Sequence, residues 1–148
     1  ITVLNLQRAV QAMIDVAAIR LQRGFAAEAE SLFAEGLSRM RSFESNAPAR
    51  PRDARPLLGL GRCRMAAKDL DAAEKHFREA LDIEKRYFGD AHPRTARAQT
   101  ALASVLVARG DIDGARAMLR SSERVLTASV AASQVDRVTT ERMLTQIR

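Results

Sequence analysis

Apolar side chains recur three and four residues apart along most of the chain, the spacing that lines one face of a helix. The pattern predicts a first helix from Leu4 to Arg23, with Leu6, Val10, Met13, Val16, Ala17 and Leu21 on or near its buried face, ended by Gly24. A second helix runs from Ala26 to about Phe43 and carries Ala29, Phe33 and Leu37. The stretch from Glu44 to Arg55 holds Pro48 and Pro51 and predicts a loop, because proline fixes φ and removes a donor. Pro56 then falls in the first turn of a third helix that ends near Ala67. Asp69 or Asp71 caps a fourth helix, which ends near Phe88 with Gly89 in the left-handed position. His92-Pro93 opens a fifth helix that extends to Arg109. Gly110-Asp111 turns the chain into a sixth, from near Ile112 to about Val130. A last helix spans Gln134 to Ile147, with Val135, Val138, Leu144 and Ile147 spaced to pack on what precedes it.

These helices repeat. Small-x3-large elements stand at Ala29 and Phe33, at Ala73 and Phe77, and at Ala115 and Leu119, with offsets of 44 and 42 residues. A turn precedes each: Gly24-Phe25, Lys68-Asp69 and Gly110-Asp111. Upstream lie Met13-x2-Val16-Ala17, Leu57-x2-Leu60-Gly61 and Gln99-x2-Leu102-Ala103. The small residues let two antiparallel helices approach closely, and the large ones fill the space beside them. Neither helix of a pair can bury its apolar stripe alone, so pairs must pack on neighbours.

This pattern resembles the tetratricopeptide repeat (TPR), with its Leu-Gly and Ala-x3-Phe elements. The repeat length exceeds the usual 34 residues. Together with Gly89-Asp90-Ala91-His92-Pro93, that length resembles the longer kinesin-light-chain type. The resemblance is sharpest from Leu57 to Leu126. It departs where the first helices usually carry asparagines: Leu58 and Gly59 stand there in one unit, Thr100 and Ala101 in the next. The resemblance implies an all-α, TPR-like right-handed superhelix of about three helical hairpins plus a C-terminal helix. Its units would be approximately 4–44, 54–88 and 93–130 in a single domain, with 134–148 a cap or half-repeat. It also implies a concave groove lined by the first helices. The groove residues would be Gln11, Asp15, Ala18 and Gln22, then Arg55, Leu58, Arg62 and Met65, then Arg97, Thr100 and Ser104.

Composition sharpens this picture. Aromatic residues make up 4% of the 148 and hydrophobic residues 47%, which suits close-packed helices better than a β-sandwich. No apolar run approaches a membrane span, and no signal-peptide pattern opens the chain. Ile1, rather than Met, marks the sequence as an expected segment of a longer protein. One cysteine, Cys63, excludes an internal disulfide and fits a cytoplasmic setting. The net charge is +6, and all but three of the 24 basic residues are arginine, whose planar fork suits carboxylates and phosphates.

The chemical candidates have structural explanations. His92 belongs to a turn that starts a helix, and His76 sits among Glu74, Lys75 and Arg78 on a solvated face. Two histidines without matched thiols or carboxylates make no zinc site. Gly59-Leu60-Gly61 lacks the third glycine and the preceding strand of a nucleotide loop. Gly61 is explained by helix packing; Gly59 has no such account from sequence. Cys63 is flanked by Arg62 and Arg64 but has no His–Asp or His–Asn arrangement, so a small apolar filler is the stronger reading. Asp69, Asp71 and Glu74 are turn and first-turn residues.

The expected function is a non-enzymatic protein–protein interaction module. It needs no cofactor or metal, and it takes a peptide or partner domain, with acidic character favoured by the arginines. The regulatory part of a multidomain bacterial protein is the natural context by analogy. The alternatives are a nucleic-acid-associated domain using the arginine surface, which lacks an aromatic stacking platform, and a homodimer-forming module.

Overall fold

A computed structural model describes residues 2–43, 47–129 and 133–147. Seven helices account for nearly all of them, and no strand occurs among the described residues. By its internal contacts the chain divides into two units, Ile1–Ile83 and Glu84–Arg148.

In the first unit, α1 (Val3–Gln22) and α2 (Ala26–Ser42) form an antiparallel hairpin. Thr2 caps α1 by accepting the Asn5 amide. Gly24, at φ +88°, takes the left-handed conformation that ends α1, and the Phe25 amide returns to the Arg20 carbonyl at 2.9 Å. Val10, Ile14 and Ala17 face inward, beside Ala29, Phe33, Leu37 and Met40. Of the residues predicted for the inner face of α1, Leu6 and Val16 are instead exposed, and Ile14 is fully buried. Periodicity found the helix but centred its stripe too broadly.

Then come α3 (Pro51–Ala66) and α4 (Leu70–Phe88). The third helix starts five residues earlier than predicted. Pro51, not Pro56, occupies its first turn, and Arg55 is helical rather than part of a loop. The reason is local. The Asp53 carboxylate accepts the Arg50 amide at 3.2 Å, and the Arg52 guanidinium donates to the Met40 carbonyl at 3.3 Å. These bonds fix the first turn against the end of α2. Pro56 sits buried inside the helix, where only the Arg52 carbonyl loses its helical donor. Three residues of the predicted loop, Glu44, Ser45 and Asn46, and the predicted end of the sixth helix, Val130, lie outside the described residues.

Gly59 and Gly61 explain how α3 lies between two helices. Two residues on a helix are separated by about 200°, so these glycines point to nearly opposite sides. A Cβ on Gly59 would come within 2.4 Å of the Phe33 ring of α2, and one on Gly61 within 2.2 Å of the Phe77 ring of α4. Each side thus carries the same device, a missing side chain opposite a phenylalanine. In the first hairpin the close approach is at Gly36 of α2, where a Cβ would come within 2.9 Å of the Ile14 side chain, and Ala17 and Ala29 are fully buried. Asp69 caps α4 through the Ala72 amide at 3.2 Å.

In the second unit, the end of α4 leads through Gly89 (φ +78°) to α5 (Pro93–Arg109). His92 caps α5: its Nδ1 accepts the Arg94 amide at 3.2 Å, and Pro93 holds the first helical position. The His92 ring stacks on Phe88 at 4.5 Å between centroids, and the Arg94 guanidinium lies 4.8 Å over the same Phe88 ring. Arg94 also forks onto the buried Glu84 carboxylate at 3.0–3.1 Å, and Thr95 donates to the Gly89 carbonyl at 2.7 Å. The Gly-Asp-x-His-Pro segment is thus a helix-to-helix corner, held by a cap, a stack and a paired charge.

Gly110 (φ +83°) and Asp111, which accepts the Gly114 amide, connect α5 to α6 (Ile112–Ala128). Ala103, Ala115, Leu119 and Ile147 form one buried cluster of this unit, with Leu106, Met118, Met143 and Leu144 packed around them. The last helix, α7 (Gln134–Gln146), begins at the Ser133 cap. It is pinned at both ends. Arg137 donates to the Leu126 and Ser129 carbonyls at the end of α6, and Arg116 of α6 donates to the Ile147 carbonyl at 2.9 Å. Guanidinium groups placed at terminal carbonyls satisfy orphan acceptors and oppose the helix dipole. The predicted packing face of α7 is half right. Leu144 and Ile147 pack inward, but Val135 and Val138 are exposed, and Thr140 takes the buried place.

Candidate functional site

The residues expected to line a groove lie on α1, α3 and α5, and the two units hold them differently. In the first unit, Gln11 and Asp15 share one face of α1, with the Gln11 amide donating to Asp15 at 3.3 Å. Arg55 of α3 reaches across to Asp15 at 2.5 Å. Both side chains of that pair are about half exposed, so water screens it and its net contribution is small. Arg62, two turns along α3 from Arg55, is exposed; Gln22 is exposed and Met65 half-buried. Leu58 is only 6% exposed, so it belongs to the packing of α3 and is not presented to solvent as an anchor.

In the second unit, the expected residues are engaged by α7. Arg97 forks onto Asp136 at 2.8–3.2 Å. Thr100 is buried, with its hydroxyl 3.1 Å from that of Thr140. Ser104 donates to the Ala101 carbonyl of its own helix. Sequence reasoning had placed Arg97 and Thr100 facing a ligand. Their partners Asp136 and Thr140 stand 39 and 40 residues on, close to the 40-residue spacing of Asp15 and Arg55. That recurrence was the available signal.

The reactive candidates are spent on structure. Cys63 is 1% exposed, and burial, reinforced by Glu30, pushes its thiol up to about 11, so it stays protonated and non-nucleophilic. His76, expected on a solvated face, is instead half-buried on α4; burial chiefly pushes it below its ordinary value, and its Nδ1 has no hydrogen-bond partner among the described residues. Gly59 and Gly61 are contact points for phenylalanine rings, not a phosphate cradle. No group of three His, Cys, Asp or Glu residues that could hold a metal ion occurs among the described residues. A cavity of about 320 Å³ at the start of α3 is lined by Arg41, Arg50, Arg52, Asp53 and Glu79. Its charges are largely matched within it, with Arg41 on Glu79 at 2.5 Å and within 3.9 Å of Asp53. No helix among the described residues is long and apolar enough to cross a membrane.

The small-beside-large hairpins match a known repeat. The tetratricopeptide repeat family model covers residues 52–128, just over half of the chain. The chain belongs to the tetratricopeptide repeat family. No match is found among curated proteins. Among solved structures, the TPR chain is similar to BtubC (BKLC) from P. vanneervenii, at 16% identity and a TM-score of 0.78 over 93% of this chain. It is also similar to a Podosopora anserina candidate kinesin light chain with nearly identical TPR-like repeats, at 17% identity and a TM-score of 0.77 over 95%. PcrH from Pseudomonas aeruginosa matches at 18% identity and a TM-score of 0.69, over 95% of this chain and 92% of PcrH. The TPR chain spans 54% of BtubC and 66% of the Podosopora protein. At these identities the likeness shows the fold. It agrees with the kinesin-light-chain resemblance of the Gly89–Pro93 corner.

Proposed function

We propose that this TPR chain is a protein-interaction module without chemistry of its own, which takes an acidic peptide segment on the α1–α3 face of the first unit. The observation that carries the reading is the exposed pair Arg55 and Arg62, two turns apart on α3, beside the half-exposed Asp15 and the amides of Gln11 and Gln22. A ligand carboxylate would replace Asp15 on Arg55 at little cost, since an exposed ion pair is weak and easily exchanged. Arginine's two-pronged geometry then favours carboxylates over other groups. Met65, half-buried, offers an adaptable apolar contact in place of the buried Leu58. PcrH, which has a similar fold at 19% identity, is solved in complex with the chaperone binding region of PopB, and this supports a partner-binding role for a chain of this fold.

We also read α7 as the first helix of a fourth unit, because its contacts to α5 recur at the spacing that joins α1 to α3. On that reading Arg97, Thr100 and Ser104 serve helix packing first, and the peptide site centres on the first unit. The test is selection of linear peptides against the full chain, with the binders measured against the Arg55→Glu/Arg62→Glu variant. Enrichment of Asp- and Glu-containing peptides, weakened about tenfold or more by the variant, is the expected result. Binders that ignore the double substitution would remove this face from the account.

A further inference from the structure

The free chain already holds a carboxylate on one of the two arginines that the peptide reading assigns to a ligand. Asp15 Oδ1 takes two donors, the Arg55 guanidinium of α3 at 2.5 Å and the Gln11 amide of its own helix at 3.3 Å. The repeat does not require an acid at this position. With the 44- and 42-residue offsets, the equivalents of Asp15 on α3 and α5 are Gly59 and Ala101, which carry no charge. The α5 equivalent of Arg55 is Arg97, so the arginine recurs where the acid does not. Arg55 and Asp15 are 52% and 51% exposed, so the pair is open to solvent and to a ligand.

We propose that Asp15 is the specificity-determining residue of this face: it occupies Arg55 as a ligand carboxylate would, and therefore competes with the ligand. The inference rests on the acidic-peptide reading of the same face. Two effects of Asp15 oppose each other. It orders the Arg55 side chain, which helps any ligand that needs the guanidinium in place. It also fills one edge of the guanidinium and repels an incoming anion, which hinders an acidic ligand. Exposure decides between them. A screened ion pair holds a half-exposed guanidinium only loosely, so the ordering it supplies is slight. The carboxylate in contact with Arg55, by contrast, has to be displaced or shared at close range by every acidic ligand. Gln11 lies within reach of Asp15 on the same helix and gives the released carboxylate a donor. Exchange at Arg55 then replaces one carboxylate by another and yields little by itself. A single acidic residue gains almost nothing, and affinity comes from further acidic residues, such as one that meets Arg62, seven residues and about 10 Å along α3. Asp15 thus separates multiply acidic segments from weakly acidic ones by resisting both equally.

The probe is fluorescein-labelled octaglutamate, titrated by fluorescence anisotropy at low ionic strength, where exposed charges are least screened. It is measured against the full chain, Asp15→Ala, Arg55→Gln and the two substitutions together. Asp15→Ala should bind roughly two- to fivefold more tightly than the parent, the range expected for one exposed ion pair. In the Arg55→Gln background the same substitution should change affinity little, because the competitor has nothing left to occupy. Alanine favours the helix and the lost pair is screened, so Asp15→Ala keeps or slightly raises the melting temperature, and tighter binding is not a folding effect. Equal or weaker binding by Asp15→Ala overturns the proposal, since Asp15 would then be idle or would orient Arg55 for the ligand. An equal gain in both backgrounds also overturns it, because the effect would then be one of net charge. Either result leaves the peptide face standing. Octaglutamate that fails to saturate the parent and Asp15→Ala alike, or that ignores Arg55→Glu/Arg62→Glu, removes the peptide reading itself, and the role of Asp15 falls with it.

Discussion

Replacing Gly61 by alanine sets two physical effects against each other. Alanine is the better helix former, and helix propensity alone predicts a gain of about 1 kcal/mol. Packing predicts the reverse. The new Cβ would sit 2.2, 2.5 and 2.8 Å from three carbons of the Phe77 ring, against an ordinary contact of 3.4 Å or more. The ring would have to retreat by about 1 Å, yet Phe77 is only 1% exposed and walled in by the hairpin. Overpacking of a closed core costs about 1–3 kcal/mol. Since the clash is with a rigid ring, the upper part of that range applies. After the propensity gain is subtracted, Gly61→Ala should destabilise by about 1–2 kcal/mol and lower the melting temperature by roughly 3–8 °C. Thermal and urea unfolding followed by circular dichroism measures both. The double variant Gly61→Ala/Phe77→Leu removes the ring edge. It should be more stable than the sum of the single effects by about 1 kcal/mol, since the two side chains touch. A higher melting temperature for Gly61→Ala alone would refute the close-approach argument.

Thr140→Val leaves the buried Thr100 hydroxyl without its cross-helix partner and should cost about 1 kcal/mol, whereas Thr100→Val/Thr140→Val should be close to neutral. Hydrogen exchange over α7 reads the difference, and equal effects of the single and double changes would show that the hydroxyl pair does not hold α7. His76 gives a pH signature. Its folded-state value lies below the ordinary 6.5 because burial opposes the charge, with Arg64 and Lys75 adding to the shift and Glu79 and Glu30 opposing it. The unfolded chain therefore takes up this proton first, and stability falls as pH drops through about 6.5 toward the lower folded value. Unfolding curves between about pH 7.5 and about pH 5 should show a smaller loss for His76→Gln than for the parent; parallel losses would contradict a half-buried imidazole that resists protonation.

Much of the fold was legible because its signals are local. Ala29, Phe33, Ala73, Phe77, Ala115 and Leu119 recur at fixed spacing and are all buried. The left-handed glycines at 24, 89 and 110 and the His92-Pro93 cap lie where turn chemistry required them. The candidate site was less legible. Arg55 and Arg62 are exposed as expected, but Leu58 and Thr100 are packed away, and Arg97 is held by an aspartate nearly forty residues later.

Sequence alone determined which side chains share a helix face, where helices end, and which small residues must stand beside large ones. Each of these follows from backbone geometry within a few residues. Tertiary structure decided which faces have a neighbour. Val16 and Leu60 occupy the same repeat position, yet one is exposed and the other buried, because α2 lies against α3 and no described helix lies against that side of α1. The same cause buries Gly59 under Phe33, draws Thr140 inward in place of Val135, and lets Pro51 begin α3 through bonds to the end of α2. A period records the angle at which a side chain leaves its helix; only the packed helices supply what it meets there.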